Sequence, residues 1–141
     1  MKKKILLVGC GGIGFRHLQS LVLLKNYCNI DILEKKNINK SILDLIDSVK
    51  NLEIQYLNNI SSLKENYDLI IFATTSRVTY KILKDIIKNT STKKILFEKI
   101  TFSEPNHYPL VLNLLKKKNI KAWVNCSNRY RDYVHFIKKN L

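Results

Sequence analysis

Short apolar runs alternate along the chain with stretches in which apolar residues recur at helical spacing. The first run is Ile5-Leu6-Leu7-Val8, and it ends at a group of glycines. Leu18, Leu21 and Val22 predict a helix over 13–25. Residues 29–34 read as a second strand, and Ile42, Leu45, Ile46 and Val49 fall at helical spacing and predict a second helix. A weak strand with period-two alternation is predicted at 52–57. Residues 68–74 form a continuous apolar strand of the kind buried on both faces. Val78, Ile82, Leu83 and Ile86 mark the next helix, and 94–98 the fifth strand. Tyr108, Val111, Leu112 and Leu115 mark another helix, which the Lys116-Lys117-Lys118 run suits at its C-terminus. Residues 121–125 read as a sixth strand, followed by a last helix with an apolar stripe of Tyr130, Tyr133, Val134 and Ile137. Strand and helix in alternation predict an α/β fold: a doubly wound parallel sheet of about six strands in a single domain.

The chain has four glycines, Gly9, Gly11, Gly12 and Gly14, and all of them follow the first strand and open the first helix. In that context G-x-G-x-x-G points to a dinucleotide-binding Rossmann fold. Gly9 allows the tight turn, Gly11 lets the backbone approach a pyrophosphate, and Gly14 lets the helix pack close to the sheet. The helix N-terminus offers unpaired N–H groups and the positive end of its dipole to the phosphates. The alternative is a glycine turn that holds no ligand. Glu34 ends the second strand 20 residues beyond Gly14. An acidic residue at about that distance accepts hydrogen bonds from the adenine ribose hydroxyls. Its charge repels a 2′-phosphate and favours NAD, while Lys35 and Lys36 beside it keep NADP open. Read without a ligand, Glu34 is an exposed strand end.

Composition narrows the classes. With 45% hydrophobic residues in 141, the chain is long enough and apolar enough for a sizeable core. No apolar run has the length of a membrane span. The opening apolar run is too short for a signal peptide, since glycines follow Val8 at once. Cys10, Cys28 and Cys126 are too few, and odd in number, for a disulfide framework, so a reducing cytoplasm is expected. Cys10, with no histidine paired to it in sequence, reads as small loop filler rather than a nucleophile. The net charge of +14 invites a nucleic-acid reading, yet only Arg16, Arg77, Arg129 and Arg131 among 25 basic residues are arginine. The lysines are scattered at helix ends and in loops, as on a solvated basic surface. Neither specific nucleic-acid binding nor a metal site is expected.

Four segments together resemble the glucose-fructose oxidoreductase / inositol dehydrogenase / MocA family. KKKILLVGCGGIGFRHLQSL is similar to the family's opening, DLIIFATTSRVTYKIL to its fourth strand and following turn, KKILFEKI to its fifth strand with a Glu-Lys-Pro motif, and AWVNCSNRYRDY to its sixth strand. The resemblance runs in register over nearly the whole chain. It implies that Gly9, Gly11, Gly12, Ile13 and Gly14 form the phosphate loop. It implies that Glu34 binds the ribose and that Ala73, Thr74 and Thr75 line the cofactor. Glu98 and Lys99 match the Glu-Lys pair. Its lysine lies near the nicotinamide ribose and the substrate and contributes to catalysis. Arg129 matches the arginine after the sixth strand. The implied activity is hydride transfer between a nicotinamide cofactor and a sugar or sugar derivative. A non-catalytic NAD-binding module, or a Rossmann-like domain for another nucleotide, are the alternatives.

The departures are as informative. Thr75 and Ile100 stand where the family has prolines, and Thr79 where a histidine is common. Family members carry a second domain that binds the substrate and supplies most acid–base residues. Here 1–128 match the dinucleotide domain and 129–141 begin a helix that would lead into the second. The resemblance therefore implies a truncated chain or split gene product, inactive alone, that self-associates or meets a separately encoded domain. His107 reads as a helix-start residue, His135 as an exposed helix position, and His17 and Arg16 as phosphate neighbours or surface residues. A basic surface without a reading element makes one prediction: affinity for duplex DNA falls steeply with added salt and is equal across unrelated sequences. Fluorescence anisotropy at two salt concentrations checks it, and a sequence-specific complex at physiological salt overturns it.

Overall fold

The computed structural model describes residues 2–24, 27–35, 39–126 and 132–140. Six strands form one parallel sheet: β1 (Lys3–Val8), β2 (Cys28–Leu33), β3 (Ile54–Leu57), β5 (Leu69–Phe72), β7 (Lys94–Glu98) and β8 (Lys121–Asn125). Their spatial order is β3-β2-β1-β5-β7-β8. Two-residue strands β4 (Asn66–Tyr67) and β6 (Ser91–Thr92) pair separately, a feature too short to carry a sequence signal. Without them the order is that of a Rossmann fold, with its switch point between β1 and β5.

Successive side chains of a strand face opposite sides, so a strand covered on both sides is apolar throughout. β1 divides in this way. Ile5 and Leu7 pack with Leu18, Leu21 and Val22 of α1 (Gly12–Val22) and Ile42 of α2 (Lys40–Ser48). Leu6 and Val8 pack on the other face with Leu83 and Ile86 of α3 (Ser76–Asn89) and Val111 and Leu115 of α4 (His107–Lys117). Stacked Phe72 and Phe97, 5.2 Å between ring centroids, fill the second face where β5 and β7 lie side by side.

Most predicted elements are present, with differences at ends and faces. The first helix ends at Val22, and the predicted end at Lys25 lies outside the described residues. In α3, Val78 is exposed and Thr79 is buried in its place. In α4, Tyr108 and Leu112 are half exposed while Val111 and Leu115 turn inward. β8 is an edge, with Trp123 and Val124 nearly half exposed. In α5 (Asp132–Asn140), Phe136 and Ile137 are exposed. Of the predicted stripe, Tyr130 and the side chain of Tyr133 lie outside the described residues.

A polar contact is built into the second face. Asp31 of β2 is almost fully buried. Its carboxylate accepts from the Tyr67 hydroxyl at 2.7 Å and from Lys64 Nζ at 3.1 Å. Burial, and then the bond to Asp31, push the Tyr67 hydroxyl pKa well up, so Tyr67 stays a donor. Tyr67→Phe leaves a buried carboxylate short of a donor, and urea unfolding is expected to register a loss of about 1–3 kcal/mol.

Candidate functional site

Beyond the carboxyl ends of β1 and β5 the chain leaves for opposite faces of the sheet, into α1 and α3, and the glycine loop lies at this switch point. Gly9 has φ +85°, in the left-handed region, and a Cβ on it would lie 3.0 Å from the Ala73 carbonyl oxygen and from Thr74 Cγ2. Gly14 is under stricter demand, because its Cβ would lie 2.2 Å from the carbonyl oxygen of Gly9. Gly11 and Gly12 are different. A Cβ on either meets nothing within 4 Å. Two glycines are thus required by packing, and two, with the exposed Ile13, open onto free space at the start of α1. Gly11 is the N-cap, no side chain caps the helix, and its first turn holds no acidic residue. Those features suit an anion approaching the backbone.

Glu34 follows β2 and turns back onto this loop. Its Oε2 accepts from the backbone N–H of Cys10 at 2.9 Å, and its carbonyl accepts from the Tyr56 hydroxyl at 2.8 Å. The carboxylate is thus half-buried beside the glycines rather than a free strand end. Lys35 is exposed next to it, and Lys36 lies outside the described residues. Burial, and then the charge of Glu34, push the Cys10 thiol up to about 11. It is therefore a neutral thiol at physiological pH, in keeping with a packing role.

The next strand end completes one wall. Ala73 is buried, Thr74 is half-buried and Thr75 is exposed. Thr74 Oγ1 and Thr79 Oγ1 lie 2.9 Å apart, and the Thr79 hydroxyl also bonds the Thr75 carbonyl at 2.9 Å. Thr79, where the resemblance leads one to expect a histidine, closes this turn instead.

At the end of β7, Glu98 Oε1 accepts from His17 Nε2 at 2.6 Å and from Asn125 Nδ2 at 2.7 Å. Lys99 follows with its side chain exposed, and the Lys99–Ile100 peptide is cis. His17 is thus not a surface residue, since its side chain is 16% exposed and bonded to Glu98. The sequence held no sign of this pairing, because 81 residues separate the partners. Asn125 was missed for the same reason. His107 does begin α4, stacked on Tyr80 at 3.9 Å between centroids. Arg129 lies outside the described residues. Among the described residues no group of three or more His, Cys, Asp or Glu side chains is placed to hold a metal. Among them, too, no helix is long and apolar enough to cross a membrane.

No family model and no curated protein matches the chain. Solved structures do. The scyllo-inositol dehydrogenase of Lactobacillus casei, solved with NAD(H) and scyllo-inositol, superposes with a TM-score of 0.74 at 13% identity, over 99% of this chain and 40% of that one. The WlbA dehydrogenase of Bordetella pertussis, solved with NADH and UDP-GlcNAcA, gives 0.74 at 17% identity, over 99% and 41%. The myo-inositol 2-dehydrogenase of Lactobacillus plantarum gives 0.73 at 16% identity, over 99% and 40%. The shared fold is the Rossmann fold. The chain spans about two fifths of the length of these structures.

The two kinds of glycine predict two kinds of variant. Gly14→Ala drives a Cβ into backbone and is expected to lower stability by about 1–3 kcal/mol or more. Gly11→Ala, facing open space, is expected to change it by about 1 kcal/mol or less. Chemical denaturation of both variants checks the difference.

Proposed function

We propose that the chain is the dinucleotide-binding domain of a nicotinamide-dependent oxidoreductase of the glucose-fructose oxidoreductase / inositol dehydrogenase / MocA kind. The observation that carries this reading is the junction of the glycine loop with Glu34, joined by the Cys10 N–H bond at 2.9 Å. One end of that junction suits a pyrophosphate and the other a ribose diol, two groups that a dinucleotide presents together. The open faces of Gly11 and Gly12 leave room for the phosphates, so the residues fit the cofactor. The likeness in fold to dehydrogenases solved with NADH adds support.

In this reading the backbone N–H groups of Gly11, Gly12, Ile13 and Gly14 bind the pyrophosphate. Glu34 accepts from the ribose hydroxyls and selects NAD over NADP. Ala73, Thr74 and Thr75 form the wall along the cofactor. Bound nicotinamide would supply the hydride chemistry on a sugar or sugar derivative. Lys99, exposed at the carboxyl edge of the sheet, is the candidate catalytic residue: its ammonium can hold a substrate oxygen and stabilise charge developing there. Residues 1–128 make this domain, and 129–141 begin the passage to a substrate-binding part. The exposed Phe136 and Ile137 of α5, with Trp123 and Val124 of β8, suit coverage by that part or by a second copy. A reducing cytoplasm agrees with free Cys10, Cys28 and Cys126.

Calorimetric titration with both cofactors tests the reading. NAD is expected to bind in the micromolar to millimolar range, and Gly11→Val to abolish binding while the chain stays folded. Glu34→Ser is expected to narrow the gap between NAD and NADP by about tenfold, the loss of one charge-assisted contact. An unchanged ratio would remove Glu34 from the site, and full affinity in Gly11→Val would remove the loop.

A further inference from the structure

The carboxylate of Glu98 takes two hydrogen bonds on a single oxygen, one from α1 and one from β8. The His17 and Glu98 side chains are only 16% and 11% exposed. Glu98 and Asn125 are register partners at the ends of adjacent strands, so their side chains meet without distortion. The main chain of Glu98 is fixed as well, because its carbonyl accepts from the buried Thr101 hydroxyl at 3.2 Å. The turn that carries Lys99 is therefore held from both sides: by the Glu98 side chain, and by Thr101 two residues further on.

The place of this cluster matters. It lies at the carboxyl ends of β7 and β8, on the far side of the switch point from β2 and Glu34. A dinucleotide with its adenosine half over β2 crosses the glycine loop and lays its other half on the β5–β7 side. His17 belongs to the helix whose N-terminus faces the phosphates. The cluster therefore ties the phosphate-facing helix to the Lys99 turn through charge-assisted bonds, the strong class of hydrogen bond.

We propose that His17, Glu98 and Asn125 are positioning residues that hold the Lys99 turn in register with the phosphate loop, so that the nicotinamide ring of a bound dinucleotide meets a pre-formed wall. The proposal rests on the dinucleotide reading above. It gives Glu98 a role other than cofactor contact, since the carboxylate acts through the turn that follows it.

The test compares ADP-ribose, which lacks the nicotinamide, with NADH, by calorimetry on the whole chain. The wild-type chain is expected to bind NADH about three- to tenfold more tightly than ADP-ribose, the worth of one or two net contacts. Glu98→Ala and Asn125→Ala are expected to bring that ratio to about one, with ADP-ribose affinity held within about twofold. Asn125 ends an edge strand, so its variant keeps the test open if Glu98→Ala does not fold. Glu98→Gln retains an acceptor oxygen and is expected to restore most of the preference. A ratio unchanged in folded Glu98→Ala or Asn125→Ala overturns the proposal. Parallel loss of both ligands does so too, because it marks the cluster as a general clamp. A wild-type chain that binds NADH and ADP-ribose equally overturns it while leaving the dinucleotide reading intact. A wild-type chain that binds neither removes that reading, and the proposal with it.

Discussion

The carbonyl oxygen of Gly9 sits where residue 14 would have to place a Cβ, 2.2 Å away. That approach sets how near α1 lies to the ends of β1 and β5, and much else depends on it. It brings the uncapped N-terminus of α1 to the crevice. It carries His17, three residues on, within 2.6 Å of Glu98 at the end of β7. With any larger residue at 14 the helix must lift, and its N-terminus and the His17 contact move with it. Packing density of this kind transmits a displacement instead of absorbing it.

A second constraint comes from charge. The chain carries +14, and its acidic residues number only 11. Several of them organise structure. Asp31 gathers Tyr67 and Lys64 in the core, Glu34 gathers the Cys10 N–H at the loop, and Glu98 gathers His17 and Asn125 at the strand ends. Asp68 does the same at the start of β5, taking the Lys4 N–H at 2.9 Å and Lys3 Nζ at 3.0 Å, and those bonds hold its carboxyl below the usual range. A buried carboxylate is costly unless donors surround it. Each of these takes a donor at least 24 residues away, so each ties together parts of the chain that are distant in sequence.

The packing is uneven across the sheet. Most of the large fully buried side chains lie on β1, β2 and β5 and on the helices over them, Leu6, Leu7, Ile30, Phe72 and Leu83 among them. Toward β8 the enclosure thins, and Trp123, Val124, Phe136 and Ile137 are left open to solvent. The most fully packed part of the domain is thus the part that positions the glycine loop. The open part adjoins the strand end that carries Asn125.

The elements and the glycine loop were legible in the sequence because they depend on local order. Continuous apolar runs and helical spacing identify parallel strands and their crossovers, and the grouping of every glycine after β1 identifies the loop. Glu34 was legible as a residue of the loop region from its distance to Gly14, and its carboxylate does meet the loop, at the Cys10 N–H. Which face of a helix turns inward was less legible, as Val78 and Thr79 illustrate: an apolar residue and a small polar one stand side by side, and the turn after β5 takes the polar one. What tertiary structure alone decided is the company each side chain keeps. No pattern in the chain announces that His17 meets Glu98 or that Asn125 joins them, since their meeting depends on sheet order and helix approach. The same holds for the distinction between Gly9 and Gly14, demanded by contact, and Gly11 and Gly12, which face open space. Spacing names the residues of a loop, but only the positions of neighbouring atoms decide which of them the fold requires and which it leaves free for a ligand.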